Sequence, residues 1–222
     1  MIASLAAVGL TPGGGTSQRA PPPIDEESPV AGETPTGLLT FEAPEDTIDA
    51  SKEYKAVVTT DKGEIVIALN ADAPEAVNSL AFLAGQDFYD GLEFFWVLRG
   101  FDAQAGDPTC ESSGEFSCTG TGDPGYDVPK EGDSAQAGKW TVIAPATSPG
   151  SDRVHGSQFV IALRDELPFE GSVIGKVVEG QDILQSLKER TPCFGSQSSE
   201  SCQTEDDLPP ALIIEDVEVQ PA

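Results

Sequence analysis

The chain has 222 residues, enough for one domain of ordinary size and a tail, and its 38 acidic and 12 basic residues give a formal net charge of −26. Nucleic acids and anionic membrane surfaces repel so acidic a chain, so neither is expected as a partner. Solubility is the ordinary meaning of such a charge, and adaptation to high salt is the alternative.

The first fifty residues are predicted to form a tail. Residues 1–10 are apolar but too short to span a bilayer, and they lack the basic start of a signal peptide. They are either the remnant of a signal or attachment segment that begins upstream of Met1, or an apolar end without a role. Residues 11–50 are rich in Gly, Pro and acidic residues and contain few groups to bury. We therefore expect a disordered acidic linker up to residue 50 and a folded domain over residues 51–222.

The domain begins with a predicted β-hairpin and a helix. β-rich runs at 54–60 and 64–69 are joined by Asp-Lys-Gly at 61–63, a hairpin signal. Asp72 as the N-cap, Pro74 in the first turn and Glu75 three residues after the cap predict the start of a helix. Apolar residues at helical spacing continue that helix until Gly85.

The rest of the domain is predicted to be mainly strands. We expect strands at 94–98, 140–144, 158–162, 173–178 and 211–219, and a second helix over 181–189. Many short strands with two helices favour a mainly β fold, a closed antiparallel barrel with helical caps. No segment is long and apolar enough to predict a transmembrane span.

Four cysteines form two close pairs in the sequence, namely Cys110, Cys118, Cys193 and Cys202. Their spacing, in a chain whose one histidine is His155, does not resemble a zinc site, so no metal is expected. Of the possible pairings we favour the local disulfides Cys110–Cys118 and Cys193–Cys202. Disulfides imply an extracytoplasmic location, whether secreted, periplasmic or at the cell surface. Free thiols in a cytosolic protein are the alternative.

Residues 94–107 carry the most informative motif. They read Phe-Phe-Trp-Val-Leu-Arg-Gly-Phe-Asp-Ala-Gln-Ala-Gly-Asp. This resembles the central motif of the cyclophilin family of peptidyl-prolyl cis-trans isomerases, Phe-His-Arg-(two apolar)-Pro-Gly-Phe-x-x-Gln-Gly-Gly-Asp. The positions in register are Phe94, Gly100, Phe101, Gln104, Gly106 and Asp107. Trp96 stands where the family carries its catalytic arginine.

Four further segments resemble the same family and follow its order. They are Asn-Ser-Leu-Ala-Phe-Leu-Ala at 78–84, Thr-Gly-Thr-Gly-Asp-Pro-Gly-Tyr at 119–126, Gly-Ser-Gln-Phe-Val-Ile at 156–161 and Ile-Gly-Lys-Val-Val-Glu-Gly at 174–180. The resemblance implies the closed eight-stranded cyclophilin barrel with a groove for proline-containing peptides on its outer face. It covers most of the predicted domain.

The resemblance also assigns roles to residues of the groove. Phe101 matches a phenylalanine of the proline pocket, and Gln104 and Gln158 match two glutamines that bind the peptide. Val160 stands where a second pocket phenylalanine is usual, which predicts a wider or shallower pocket. Asp102 replaces an apolar residue and places a charge at the pocket edge.

The chemistry explains why Trp96 matters. Rotation about a peptide bond faces a barrier of about 18–20 kcal/mol, and lowering it for an X-Pro bond requires no nucleophile, metal or cofactor. A cation near the proline nitrogen favours the twisted transition state, in which amide resonance is lost. Trp96 removes that cation, Arg99 is expected on the opposite face of the strand, and Arg153 and Arg164 are the candidates to replace it.

Two functions remain open from the sequence. The first is a peptidyl-prolyl isomerase of reduced activity that acts on X-Pro bonds of exported proteins. The second is a cyclophilin-fold module without catalysis that binds proline-containing segments or a fixed partner, with Trp96 as an aromatic platform or as a plug. In either case we expect the loop between Cys110 and Cys118 to reshape or partly cover the groove.

Overall fold

The computed structural model describes residues 38–112, 118–132, 137–194 and 202–222. Within these ranges the chain forms ten strands, two α-helices and one 3-10 turn. The strands are β1 (Tyr54–Thr60), β2 (Gly63–Leu69), β3 (Trp96–Leu98), β4 (Asp102–Ala105), β5 (Asp127–Pro129), β6 (Thr141–Pro145), β7 (Arg153–His155), β8 (Phe159–Ala162), β9 (Gly171–Glu179) and β10 (Ile214–Pro221). The helices are α1 (Pro74–Ala84) and α2 (Gln181–Ser186), and the 3-10 turn is Glu205–Asp207.

Eight of the strands form one antiparallel sheet in the order β10-β1-β2-β9-β6-β8-β4-β3, and β5 pairs with β7 separately. This confirms the predicted mainly β architecture with eight antiparallel strands and two helices. The sheet is curled and open, because the described residues form no continuous ladder between β3 and β10. Isolated bridges from Val97 to Arg190 and from Glu93 to Ile213 lie there instead.

The main core lies between the concave face of the sheet and α1. In β1 the even-numbered residues Ala56, Val58 and Thr60 are buried while their neighbours are partly exposed, as strand alternation requires. From α1, Leu80 and Leu83 pack into the same core. The apolar faces of the hairpin and of the helix are therefore buried against each other in one core.

The start of α1 is stabilised differently from the prediction. Ala73, and not Asp72, is the N-cap residue, and no side chain of the cap bonds to the helix. The carboxylate of Glu131 instead accepts the backbone N–H groups of Glu75 and Ala76, at 3.1 Å from Oε2 in both cases. A carboxylate distant in sequence thus accepts hydrogen bonds from the N–H groups at the start of the helix and interacts favourably with the partial positive charge there.

Residues 38–50, which we call the N-terminal strap, pack on the domain, although the sequence places them in the linker. The ring of Phe41 meets that of Phe82 edge-on at 5.1 Å between centroids. The backbone N–H of Phe41 donates to the carbonyl of Pro124 at 2.7 Å. The strap accordingly belongs to the compact unit of the domain, and the rest of the predicted linker lies outside the described residues.

Element boundaries differ from the predictions by a few residues. α2 ends at Ser186, three residues before its predicted end, because the backbone of Leu187 is extended, with φ −60° and ψ 140°. β10 begins three residues later than predicted, at Ile214. Among the described residues, no helix combines the length and apolar character needed to cross a bilayer.

Candidate functional site

Strands β3, β4 and β8 place the predicted groove residues on one face of the sheet. Trp96 pairs with Gln104 across β3 and β4, and Gln104 pairs with Val160 across β4 and β8. Side chains of directly paired residues lie on the same face, as do residues two apart along a strand. Asp102 and Gln158 therefore join this row. The alternate residues of these strands, such as Val97 and Ala103, lie in the main core on the opposite face.

A chain of hydrogen bonds fixes the two glutamines. The Gln104 amide donates to Oε1 of Gln158 at 2.6 Å, and the Gln158 amide donates to the carbonyl of Gly122 at 2.7 Å. The Gly122 N–H in turn donates to the fully buried carboxylate of Asp107 at 3.0 Å. A Cβ on Gly122 would lie 2.1 Å from Asp107 Oδ1, so only glycine allows this approach. The glycine-rich loop thus serves as a rigid support for Gln158.

A cluster of apolar side chains adjoins the glutamines through Val160, and we call it the apolar pocket after its predicted role. Its buried members include Ile143, Val160 and Leu167, with Phe101 and Phe169 partly buried against them. A neighbouring cavity of about 340 Å³ shares Phe169 and is also lined by Pro149 and Pro168. The pocket extends beyond the residues that sequence reasoning identified, since Leu167 and Phe169 were not singled out. Their alternation along residues 167–169 was the available signal.

Trp96 is held in place by two neighbours. Its indole N–H donates to Asp102 Oδ1 at 3.1 Å, and its ring stacks on Phe194 with 6.3 Å between centroids and 26° between planes. Phe194, which sequence reasoning also missed, follows Cys193 directly. The same aromatic cluster includes Phe95 and the buried Cys110–Cys118 disulfide. Trp96 is therefore part of a packed wall of the groove.

The structure forms both predicted disulfides, Cys110–Cys118 and Cys193–Cys202. The stem of the first loop lies beside the groove, because Cys110 and Cys118 contact the cluster around Trp96. The tip of that loop, residues 113–117, lies outside the described residues. Asp107, Cys110 and Cys118 place ligand atoms within 4.8 Å of one another, but both sulfurs are bonded in the disulfide and offer no thiolate.

Asp102 is a buried carboxyl group at the edge of the pocket. Only 9% of the residue is exposed. Burial raises the pKa of Asp102 above its ordinary value, and the hydrogen bond from Trp96 opposes that shift. The indole N–H is thus the donor that makes the buried charge tolerable.

The three arginines near the groove occupy different positions. The guanidinium carbon of Arg164 lies 4.9 Å from the centroid of the Phe101 ring, so this cation borders the apolar pocket. Arg153 lies on β7 and donates to the backbone carbonyl of Asp127. Arg99 lines a separate cavity together with Val97. Arg164 is therefore the candidate cation that the fold brings to the pocket.

Comparison with protein families gives a match over most of the chain. Residues 55–219 match the family described as cyclophilin type peptidyl-prolyl cis-trans isomerase/CLD. This range contains every groove residue discussed above.

Curated relatives carry the same description. A peptidyl-prolyl cis-trans isomerase of Helicobacter pylori (strain ATCC 700392 / 26695) is 35% identical over 158 residues, which cover 68% of this chain and 90% of the relative. A probable peptidyl-prolyl cis-trans isomerase of Brucella suis biovar 1 (strain 1330) is 31% identical, with 63% of this chain and 74% of the relative covered.

Solved structures show the same fold. A cyclophilin type peptidyl-prolyl cis-trans isomerase of Cryptosporidium parvum superposes with a TM-score of 0.58 at 19% identity, covering 77% of this chain and 99% of that one. A crystal structure of that protein in the presence of the dipeptide Ala-Pro gives a TM-score of 0.57 at 20% identity, with 76% and 99% covered.

Proposed function

The chain belongs to the cyclophilin-type peptidyl-prolyl cis-trans isomerase family, and from that membership we propose that it isomerises X-Pro bonds slowly in the groove of β3, β4 and β8. The observation that carries the proposal is the shared face on which Gln104 and Gln158 adjoin the apolar pocket. Trp96 on the same face is the reason for the reduced rate.

Each part of the groove has a chemical task in this proposal. The pocket around Phe101, Val160 and Leu167 receives the proline ring, because burying apolar area stabilises the complex. The amide of Gln104 carries a second hydrogen besides the one given to Gln158, and we assign it to a carbonyl of the peptide. Holding the flanking carbonyl while the C–N bond twists stabilises the transition state more than either end state.

The rate follows from the donor at the proline nitrogen. Replacing a charged transition-state donor by none lowers catalysis about 10²–10³-fold. Trp96 is neutral, and its N–H is already bonded to Asp102. Arg164 at the edge of the pocket is a cation that offsets part of this loss. We therefore expect measurable turnover well below that of an arginine-containing groove.

The substrates in this proposal are X-Pro segments of exported proteins. The two disulfides support an extracytoplasmic location, because cysteines stay reduced as free thiols in the cytosol. Reaction of intact cells with a membrane-impermeant label tests this location. Labelling of the chain only after lysis would contradict it.

A second candidate is a binding module of the same fold without turnover. It is favoured by the double engagement of Trp96 with Asp102 and Phe194, which leaves an aromatic wall beside the pocket. Aromatic faces suit proline-rich segments, which are already extended before binding.

The deciding experiment places an arginine at position 96, first alone and then together with removal of the Asp102 carboxylate. Isomerisation of an Ala-Pro peptide is measured for the wild type, Trp96→Arg and Trp96→Arg/Asp102→Met. An arginine at 96 would pair with the buried Asp102 carboxylate, so the single variant gains little and the double variant gains about tenfold or more. Arg164→Gln lowers wild-type activity, whereas the matched Arg153→Gln leaves it unchanged.

The outcomes separate the two candidates. Wild-type activity above the uncatalysed rate supports the slow isomerase. A silent wild type with an active double variant shows that the groove binds peptide without turnover. If all three proteins are silent and the peptide leaves their groove signals unshifted in NMR spectra, both candidates are wrong.

A further inference from the structure

A second cavity lies on the other side of β3 from the groove, between α2 and the ends of β3 and β8. Its volume is about 210 Å³. The apolar side chains that line it include Val97 of β3, Leu184 of α2, and Leu163 and Leu187, which directly follow β8 and α2. Trp96 and Val97 are neighbours in β3 and point to opposite faces, so this cavity is distinct from the proline groove.

The polar part of this cavity is cationic. Arg99 and Lys139 line it, and none of the described residues that line it is acidic. These are two of 12 basic residues in a chain with a net charge of −26. The backbone N–H of Lys139 donates a hydrogen bond to the Asp165 carboxylate at 3.0 Å, which fixes the backbone at this position. Two cations around one cavity attract an anion where most of the surface repels it.

Trp140 forms the wall beside Lys139. Its φ of +74° lies in the left-handed region, which a bulky side chain rarely adopts. Backbone hydrogen bonds hold it there, from its N–H to Ala162 at 2.7 Å and to its carbonyl from Val177 at 2.9 Å. The Lys139 ammonium lies 4.6 Å from the indole centroid. Strained positions of this kind are found where a side chain is held for a ligand.

We propose that this cavity binds a small apolar monocarboxylate. The carboxylate pairs with the fork of the Arg99 guanidinium and with the Lys139 ammonium. The aromatic or aliphatic body packs between Trp140 and the leucines. The cavity is smaller than the range of about 300–1,000 Å³ usual for drug-sized ligands, so the ligand has roughly the size of one side chain.

Two sources supply this chemistry, a free acid or the C-terminal residue of a peptide. The probes are therefore 3-phenylpropionate and the tripeptide Ala-Ala-Phe, each with a neutral partner, 3-phenylpropanol and the tripeptide amide. Binding to the full chain is followed by the indole N–H signal of Trp140 in NMR spectra. The chain has two tryptophans, and loss of one signal in Trp96→Phe assigns both.

We expect at least one of the two carboxylates to shift the Trp140 signal in a saturable way. Its neutral partner should bind at least about tenfold more weakly, because it cannot form the charge-assisted hydrogen bonds. Arg99→Gln and Lys139→Gln each weaken binding about tenfold. The matched control Lys62→Gln, in the turn between β1 and β2, leaves binding unchanged. Binding of the tripeptide but not of phenylpropionate would identify peptide C-termini as the source, and the reverse would identify free acids.

Three results would overturn the proposal. They are equal binding of acid and alcohol, unchanged binding in both cavity variants, and an equal loss in Lys62→Gln. Arg99 is exposed, so its variant is expected to fold, and the wild type gives an independent measure because its affinity must fall as NaCl is added. Isomerase activity is not involved in any of these readouts.

Discussion

At the scale of single residues, Trp96 and Asp102, two of the positions at which the sequence differs from the family motif, depend on each other. Asp102 is a buried carboxyl group, and the indole N–H of Trp96 is its donor. A carboxylate at this position without a donor would be strongly unfavourable. Replacing either residue alone therefore disturbs the other, which is why a single arginine substitution is a poor test of the groove.

A double-mutant cycle tests this dependence. Trp96→Phe keeps an aromatic ring for Phe194 but removes the N–H, so we expect the free energy of unfolding to fall by about 1–3 kcal/mol at pH 7. In the Asp102→Asn background the same change is less costly, because a neutral amide needs the donor less. Urea unfolding of the four proteins measures the coupling. Equal losses in both backgrounds would refute it.

Asp90 predicts a pH dependence of stability. Partial burial, with Asp87 and Asp216 nearby, raises the pKa of Asp90 to about 6. A carboxyl group whose folded pKa is raised stabilises the fold below its unfolded pKa of 3.8 and loses that contribution as pH rises through about 6.

Asp90→Asn should therefore stabilise the protein at pH 7 and have no effect below pH 4. Because the side chain is largely exposed, we expect at most about 1 kcal/mol. Thermal unfolding across this pH range checks the sign. A variant equally stabilised at both ends of the range would point to a cause other than titration.

The groove also shows how far single residues were predictable. The resemblance assigns Trp96, Gln104, Gln158 and Val160 to one groove. In the structure they share one face of the sheet, because strand pairing and alternation fix side-chain direction locally. Leu167, Phe169 and Phe194 were missed. They lie outside the helices and strands, where backbone direction depends on tertiary contacts, so the alternation at residues 167–169 alone does not show which way those side chains face.

At the scale of elements, one side chain of α1 makes several hydrogen bonds to the N-terminal strap. Asn78 Oδ1 accepts the N–H groups of Thr47 and Ile48 at 2.8 and 3.3 Å and the Thr47 hydroxyl at 3.1 Å. Its amide donates to the carbonyl of Glu45 at 2.9 Å. The strap, whose composition is too polar to fold by itself, is thus ordered by its hydrogen bonds to α1.

Asn78→Ala should release the strap. The lost acceptor leaves backbone N–H groups without partners, so we expect the free energy of strap docking to fall by about 1–3 kcal/mol. Cleavage after Glu42 and Glu45 by a glutamate-specific protease should become about tenfold faster or more. Thr47→Val, which removes one hydroxyl only, is the matched control and should change the rate little. Unchanged cleavage in Asn78→Ala would show that Phe41 holds the strap.

Elements were predicted well where their signals are local. The β1–β2 hairpin and α1 follow from turn residues and periodicity within one segment. The cap of α1 was wrong because Glu131, far along the chain, supplies the carboxylate. The strap was assigned to the linker for the same reason, since its partners Phe82 and Pro124 are distant in sequence.

At the scale of the whole molecule, charge repulsion opposes the fold. The net charge is −26, from 38 acidic and 12 basic residues, and the ion pairs within the described ranges include Lys52–Asp49 and Arg190–Glu93. Salt therefore screens much repulsion and little attraction. The disulfides offset this repulsion, each by about 2–3 kcal/mol in the chain-entropy model.

We expect NaCl to raise the thermal unfolding midpoint continuously between about 0.05 and 1 M, over which the Debye length falls several-fold. Sucrose at matched osmolality controls for effects of water activity. A midpoint that falls with NaCl, or that rises equally with sucrose, would show that charge repulsion is not the main stress on this fold.

The strand order has a consequence for the timing of folding during synthesis. β1 lies between β2 and β10, so one edge of β1 stays unpaired until β10, which follows the other described strands along the chain, has been synthesised. The β1–β2 hairpin forms at once, but the other edge of β1 keeps its N–H and C=O groups exposed until nearly the whole domain has emerged. Pairing across such a sequence distance is slow. The nascent chain is therefore prone to aggregation until β10 has emerged and paired with β1.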